Sequence, residues 1–140
     1  MKRFISLVLS ITMIAVFALS LQSCGNTKIP DSCKNLNLNG FAEDYKSNSL
    51  RTENEYVGEW CEIVCTVQEI VSAKHFTMLS THHKVYIDCW LKNKDFKDTL
   101  LDLDKGDEIK VYGIVRNIHS SASTFWDVNI KIDVYKIEVL

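Results

Sequence analysis

From Glu59 to the C-terminus the apolar residues of this chain recur at every second position, and no other feature restricts its fold as much. Cys61, Ile63, Cys65 and Val67 alternate with Glu62, Val64, Thr66 and Gln68. The apolar series then resumes at Ile70, out of phase, which predicts a bulge bending a long first strand. His75 to Leu79 reads as a short second strand and Ser80 to His83 as a turn. Val85, Ile87, Cys89 and Leu91 give the inner face of a third strand. In the fourth, Ile109, Val111 and Val115 face inward around Gly113, with Ile118 beyond a second phase break. The fifth is expected from Phe125 to the C-terminus, with Trp126, Val128, Ile130, Ile132 and Val134 in phase before a slip to Ile137 and Val139.

Two helices fit around these strands. Asn39-Gly40 opens the first, with Glu43 and Asp44 in its first turn, where acidic groups suit the helix dipole. Phe41, Tyr45, Asn48, Thr52 and Tyr56 share one half-polar face, so the helix is expected on a surface and not in the core. Asn93 to Asp104 is a short second helix with Phe96, Leu100 and Leu103 on one side, ended by Lys105-Gly106-Asp107. The segments Ile63–Ile70 and Val111–Ile118 echo each other, and two long bent strands are what a small closed barrel needs at its corners. The fold class is therefore mainly β: a five-stranded Greek-key barrel with an N-terminal helix and a short helix between strands three and four. That is the order of an OB-fold.

On these residues the chain resembles the bacterial tRNA-anticodon-binding-like (tRNA_anti-like) OB-fold proteins. The resemblance spans Phe41 to Leu140 and rests on Tyr56-Val57-Gly58 leading into strand one, on Val64-Cys65-Thr66-Val67, and on Leu103 to Val115 with its Lys-Gly-Asp turn and mid-strand Gly113. Members usually carry Gly where Cys65 stands, so a tighter bend is expected there. The family implies an architecture and no chemistry.

The first residues read as an address. Lys2 and Arg3 precede an apolar stretch from Phe4 to Leu21, and no acidic residue occurs before Asp31. Leu21-Gln22-Ser23-Cys24 resembles the lipobox of bacterial lipoproteins, which implies a signal peptide over residues 1–23 and a diacylglyceryl group on Cys24. An uncleaved membrane anchor and an ordinary signal peptide are the competing readings. Gly25 in place of Asp lacks the inner-membrane retention signal of enteric bacteria, so the outer membrane facing the periplasm is the expected location. Residues 24–39, with the only proline and no apolar period, read as a tether, and 40–140 as the domain.

Composition then narrows the function. The 140 residues carry 16 basic and 18 acidic side chains, and 46% are hydrophobic, which fits one globular domain. Without Lys2 and Arg3 the balance is 14 basic to 18 acidic, so a strongly basic nucleic-acid binder is excluded and nucleic acid is disfavoured as a partner. Tyr86, Trp90, Tyr112 and Phe125 are expected outward, either as a stacking platform or as covered surface. No hydrolase, zinc-protease or phosphate-loop motif occurs, so no enzyme, cofactor or metal is expected. His75 and His119 near two strand connections are at most a weak metal pair, and His82-His83 are turn residues. Cys61, Cys65 and Cys89 are expected as small buried hydrophobes, with a bridge from Cys89 to either of the others left open. The expected binding residues are Lys74, Trp90, His119, Ser121 and Phe125. Their ligand would be an envelope protein, peptide or saccharide, with the membrane engaged through the lipid on Cys24. Clickable palmitate should label the wild-type chain, and Cys24→Ala should lose both label and membrane pool. An unlabelled wild-type chain in the soluble fraction would remove the lipoprotein reading.

Overall fold

The computed structural model describes residues 27–140, so the proposed signal peptide and Cys24 lie outside the described residues. Six strands form, β1 (Lys34–Asn35), β2 (Trp60–Ser72), β3 (His75–Ser80), β4 (Val85–Leu91), β5 (Glu108–Ser120) and β6 (Val128–Val139). They lie in the order β1-β2-β3-β4-β6-β5, and β5 pairs back onto β2, so the last five close a barrel. The OB-fold order is thereby met, with β4 and β6 parallel and the other barrel pairs antiparallel.

The alternation fixes the core as expected. Cys61, Ile63, Val67, Ile87, Cys89, Ile109, Val111, Val115, Ile118, Ile130 and Ile132 are buried. Both phase breaks are real: β2 shifts register against β3 between Val67 and Glu69, and β5 shifts against β6 between Val115 and Asn117. The second bulge turns the phase over, so Ile118 is inward and Asn117 and His119 face out. Cys65 is accommodated as a core side chain, with the β2–β3 register shifts following it beyond Val67. The Lys105-Gly106-Asp107 turn is locked to β2 by Gly106 N–H on the Val67 carbonyl (2.9 Å) and Val67 N–H on the Asp107 carbonyl (2.8 Å). Gly106 sits at φ 102°, where a side chain would be strained.

Several expectations change. The first helix is two, α1 (Phe41–Ser47) and α2 (Ser49–Tyr56). Asn48 breaks it at φ −158° and caps α2, its side-chain oxygen accepting Arg51 N–H at 3.0 Å. Ser-Asn-Ser side chains compete with helical backbone bonds, which locates the break. Phe41, Ala42, Tyr45 and Thr52 are buried, so α1 supplies core where a surface helix was expected. The segment expected as tether also enters the fold: β1 pairs in parallel with Cys61 and Glu62, and Leu36 and Leu38 are buried. Two leucines two apart covering a free strand edge were too short a pattern to read. The second helix shortens to a 3-10 turn (Lys94–Phe96) and α3 (Lys97–Leu101), with Leu100 and Leu103 buried. β6 begins at Val128 and not at Phe125, because Ser121 and Ser123 hydroxyls accept the Ser123 and Phe125 N–H groups and fold that stretch into a loop. Val139 lies at the rim, 59% exposed.

All four described cysteines are free. Burial pushes the Cys61 and Cys65 thiols up to about 11 and Cys89 well above its ordinary value, so they remain protonated core groups.

At Gly113 strands β5 and β6 approach closely. A Cβ there would meet the Asp133 carbonyl oxygen at 2.2 Å and the Ile132 side chain at 2.9 Å. Backbone cannot retreat as a side-chain tip can, so Gly113→Ala should destabilise the fold by about 3 kcal/mol. The check is a lowered urea midpoint at unchanged m-value.

Candidate functional site: the outer face of β3, β4, β6 and β5

Strand pairing aligns outward residues in rows across four strands. One row is Leu79, Tyr86, Asn129 and His119, the next Thr77, Asp88, Lys131 and Asn117, and the third His75, Trp90 and Asp133. Asp88 organises the centre. Its carboxylate accepts the Trp90 indole N–H at 3.0 Å and meets His75 Nε2 at 2.5 Å. The His75 ring stacks on Trp90 with centroids 4.3 Å apart and planes 10° from parallel. Lys131 Nζ lies 5.5 Å from the Trp90 centroid, within cation–π range. Trp90 is therefore held at its N–H edge, on its ring and by a neighbouring charge.

A cavity of about 460 Å³ opens beside this group, lined by Tyr86, Asp88, Asn117, His119, Asn129 and Lys131 among others. Asn129 Nδ2 lies 3.2 Å from His119 Nε2, which then accepts and leaves the ring proton on Nδ1. Asn129 Oδ1 is buried and has no partner among the described residues. An orphan acceptor of this kind is costly unless a ligand or water donates to it. A second cavity, about 250 Å³, is lined by Trp90 together with Lys74, Lys92, Asn93, Lys94 and Lys97 among others.

The expected residues are thus only partly brought together. Lys74 and Trp90 line the smaller cavity and His119 the larger one. Ser121 lines neither, its hydroxyl being spent inside its own loop. Phe125 is 79% exposed on that loop, 6.3 Å from Trp126 by ring centroids. The loop is anchored by Asp127, whose N–H donates to the Lys84 carbonyl at 2.7 Å. Its carboxylate is held below the usual range by a hydrogen bond from Lys46 and by the charge of Lys84.

A four-ring stacking platform does not form. Tyr86 is stacked by Trp126 at 4.9 Å, and Trp90 by His75. Tyr112 stands elsewhere on β5, between Glu62 and Lys136, and burial together with its hydrogen bond to Glu138 pushes the phenol up to about 12. His75 and His119 do not form a pair either, because β4 and β6 lie between their strands, roughly 14 Å of sheet. His82 and His83 contact each other edge to face and line a further cavity, about 550 Å³, between the β1 segment and the β3–β4 turn. That cavity holds the Glu62–Lys110 pair and lies apart from the Asp88 cluster.

Asp88 and Lys131 were missed by the sequence reading, although the signal was there. Asp88 shares the outward phase of its strand with Trp90, two residues on, and Lys131 falls between the inward Ile130 and Ile132.

The tRNA_anti-like family profile matches residues 1–126. The chain belongs to the tRNA_anti-like family. No curated protein matches it. Among solved structures it is similar to a Leishmania major Friedlin protein assigned as an aspartyl-tRNA synthetase, at 12% identity and a TM-score of 0.53, covering 91% of this chain and 26% of that one. It is also similar to a Klebsiella pneumoniae lipoprotein assigned as nucleic acid-binding, at 12% identity and a TM-score of 0.47, covering 81% and 99% of the two chains. A small single-stranded DNA-binding protein from Streptomyces coelicolor matches at 12% identity and a TM-score of 0.42, covering 58% and 93%. At these identities the likeness is one of fold.

Asp88→Ala should release both the indole and the imidazole. Its expected cost is about 1 kcal/mol, since both groups are partly solvated. The Trp90 indole N–H resonance should move upfield as its acceptor disappears, and Asp88→Asn should hold most of both effects.

Proposed function

We propose that this protein is a lipid-anchored binding module of the bacterial cell envelope that captures a ligand on the outer face of β3, β4, β6 and β5 and performs no catalysis. The observation that carries the binding face is the Asp88 arrangement beside the buried, unpartnered Asn129 Oδ1. A fixed indole edge next to a carboxylate, two amides and an imidazole suits a ligand rich in hydroxyl or amide groups, a saccharide or a peptide. Membrane attachment rests on Cys24 and the lipobox it completes, and two or three acyl chains on one cysteine hold effectively permanently, at about 0.8 kcal/mol per buried CH₂. Gly25 after that cysteine, in place of Asp, supports the outer membrane facing the periplasm as the location.

The test uses the full chain in detergent on arrays of envelope saccharides and peptides. Trp90→Ala and Asn129→Ala should each reduce capture at least tenfold while the far-ultraviolet circular dichroism is unchanged. Equal capture by folded variants would place the ligand elsewhere. Capture of single-stranded oligonucleotides alone, with a steep salt dependence, would replace this reading with a nucleic-acid module.

A further inference from the structure

Four of the chain's lysines meet at one end of the candidate face, although the chain as a whole carries a formal charge of −2. Lys74 comes from the β2–β3 turn, Lys92 from the end of β4, and Lys94 and Lys97 from the helical turns that follow. They are brought together by the backbone: Leu91 N–H donates to the Lys74 carbonyl at 2.8 Å, and Lys92 N–H to the Val134 carbonyl at 2.7 Å. The Asn93 side chain accepts Asp95 N–H at 3.0 Å and so fixes the turn that carries Lys94.

The cavity these lysines enclose beside Trp90, about 250 Å³, has no acidic residue in its lining. Lys92 alone of the four forms an ion pair among the described residues, with Asp133 at 3.4 Å. Asp133 is in turn shared with Arg116, so its charge is already committed. Like charges gathered without counter-charge repel one another, and an anion that enters removes that repulsion.

We infer that this lysine-lined cavity holds the phosphoryl group of a phosphate-bearing ligand whose hydroxylated part continues past Trp90 to Asp88 and Asn129. The inference rests on the binding face proposed above and names the chemistry of its ligand. Lysine ammonium groups are compact point charges that fit a phosphate without a fixed fork geometry. A phosphate monoester carries about −1.5 to −2 charge at pH 7, against −1 for a carboxylate, so four lysines discriminate in its favour. The same phosphoryl group occurs in soluble sugar phosphates and in lipid headgroups.

The test is a nuclear magnetic resonance titration of the full chain in detergent with glucose 6-phosphate, glucuronate and dihexanoyl phosphatidate below its micelle concentration. The lysines are surface groups, so Lys94→Ala/Lys97→Ala should keep the spectral dispersion of the wild type. Glucose 6-phosphate should bind several-fold more tightly than glucuronate, and the double variant should lose at least tenfold. Binding of the sugar phosphate alone marks a soluble ligand, and stronger binding of the phosphatidate marks a headgroup. Equal binding by wild type and double variant, or no preference for phosphate over carboxylate, overturns the inference. Trp90→Ala is titrated alongside. Phosphate binding lost in the lysine variant and kept in Trp90→Ala leaves the pocket standing and removes the wider face. The reverse removes the pocket and leaves the face. Response to an oligothymidylate with none to either phosphate ester overturns the inference in favour of a nucleic-acid strand.

Discussion

The close approach of β5 to β6 at Gly113 is the contact on which the rest of the barrel depends. With the Asp133 carbonyl oxygen only 2.2 Å from where a Cβ would stand, the two backbones meet with no side chain between them. The register slips at that point and again between Val115 and Asn117. The second slip decides which side chains face outward. Without it, Asn117 and His119 would continue the inward series of Val111 and Val115, and Ile118 would be exposed. A bulge whose local purpose is to bend a strand thus places two polar groups on the candidate face.

The same crossing sorts the charges. Asp133 is buried to 5% exposure on β6, and Arg116 at the bulge and Lys92 at the end of β4 both reach it. Paired twice, this acid anchors β4, β5 and β6 at one end of the sheet. It also leaves the neighbouring lysines without an equivalent partner. At the other end, Asp127 serves Lys46 and Lys84 and ties the β5–β6 loop to α1 and to the start of β4. Lys84 takes a left-handed φ of 56° there, a costly conformation for a lysine, and its carbonyl receives both Asp127 and Val128 N–H groups. The two ends of the face are therefore built differently: one is balanced and closed, the other carries excess positive charge around a cavity.

The barrel was legible in the sequence because its information is local. Alternation at Cys61–Val67, Val85–Leu91 and Val128–Val134 assigns inside and outside residue by residue, and the phase breaks at Gln68 and Arg116 mark the bulges. What was not legible depends on where distant segments land. Leu36 and Leu38 are buried only because β2 offers a free edge to β1. The helix break at Asn48 turns on three short polar side chains that a face-counting argument passes over. Trp90 could be picked out as an outward aromatic. That His75 would occupy its ring and Asp88 its N–H follows from β3–β4 register, which a turn of uncertain length does not fix in advance. The lysine cluster is not visible along the chain because its members come from three segments.

The aromatic arrangement bears on how the proposed face would select a ligand. Proteins that bind single strands without sequence preference offer free ring faces on which successive bases stack. Here the two rings central to the face already have partners, His75 on Trp90 and Trp126 on Tyr86, and Phe125 stands apart on the loop. Such pairs hold the rings in place before a ligand arrives, so less side-chain entropy is lost on binding. What remains for a ligand is mainly edge and polar contact: the Asp88 carboxylate, the Asn117 and Asn129 amides, the His119 ring and the lysines beyond Trp90. A surface of this kind discriminates by hydrogen-bond geometry and charge, because a group that fails to donate to Asn129 Oδ1 leaves a buried acceptor unpaired. Specificity would then reside in the polar floor of the larger cavity, and affinity in the charge of the separate lysine-lined cavity beside Trp90.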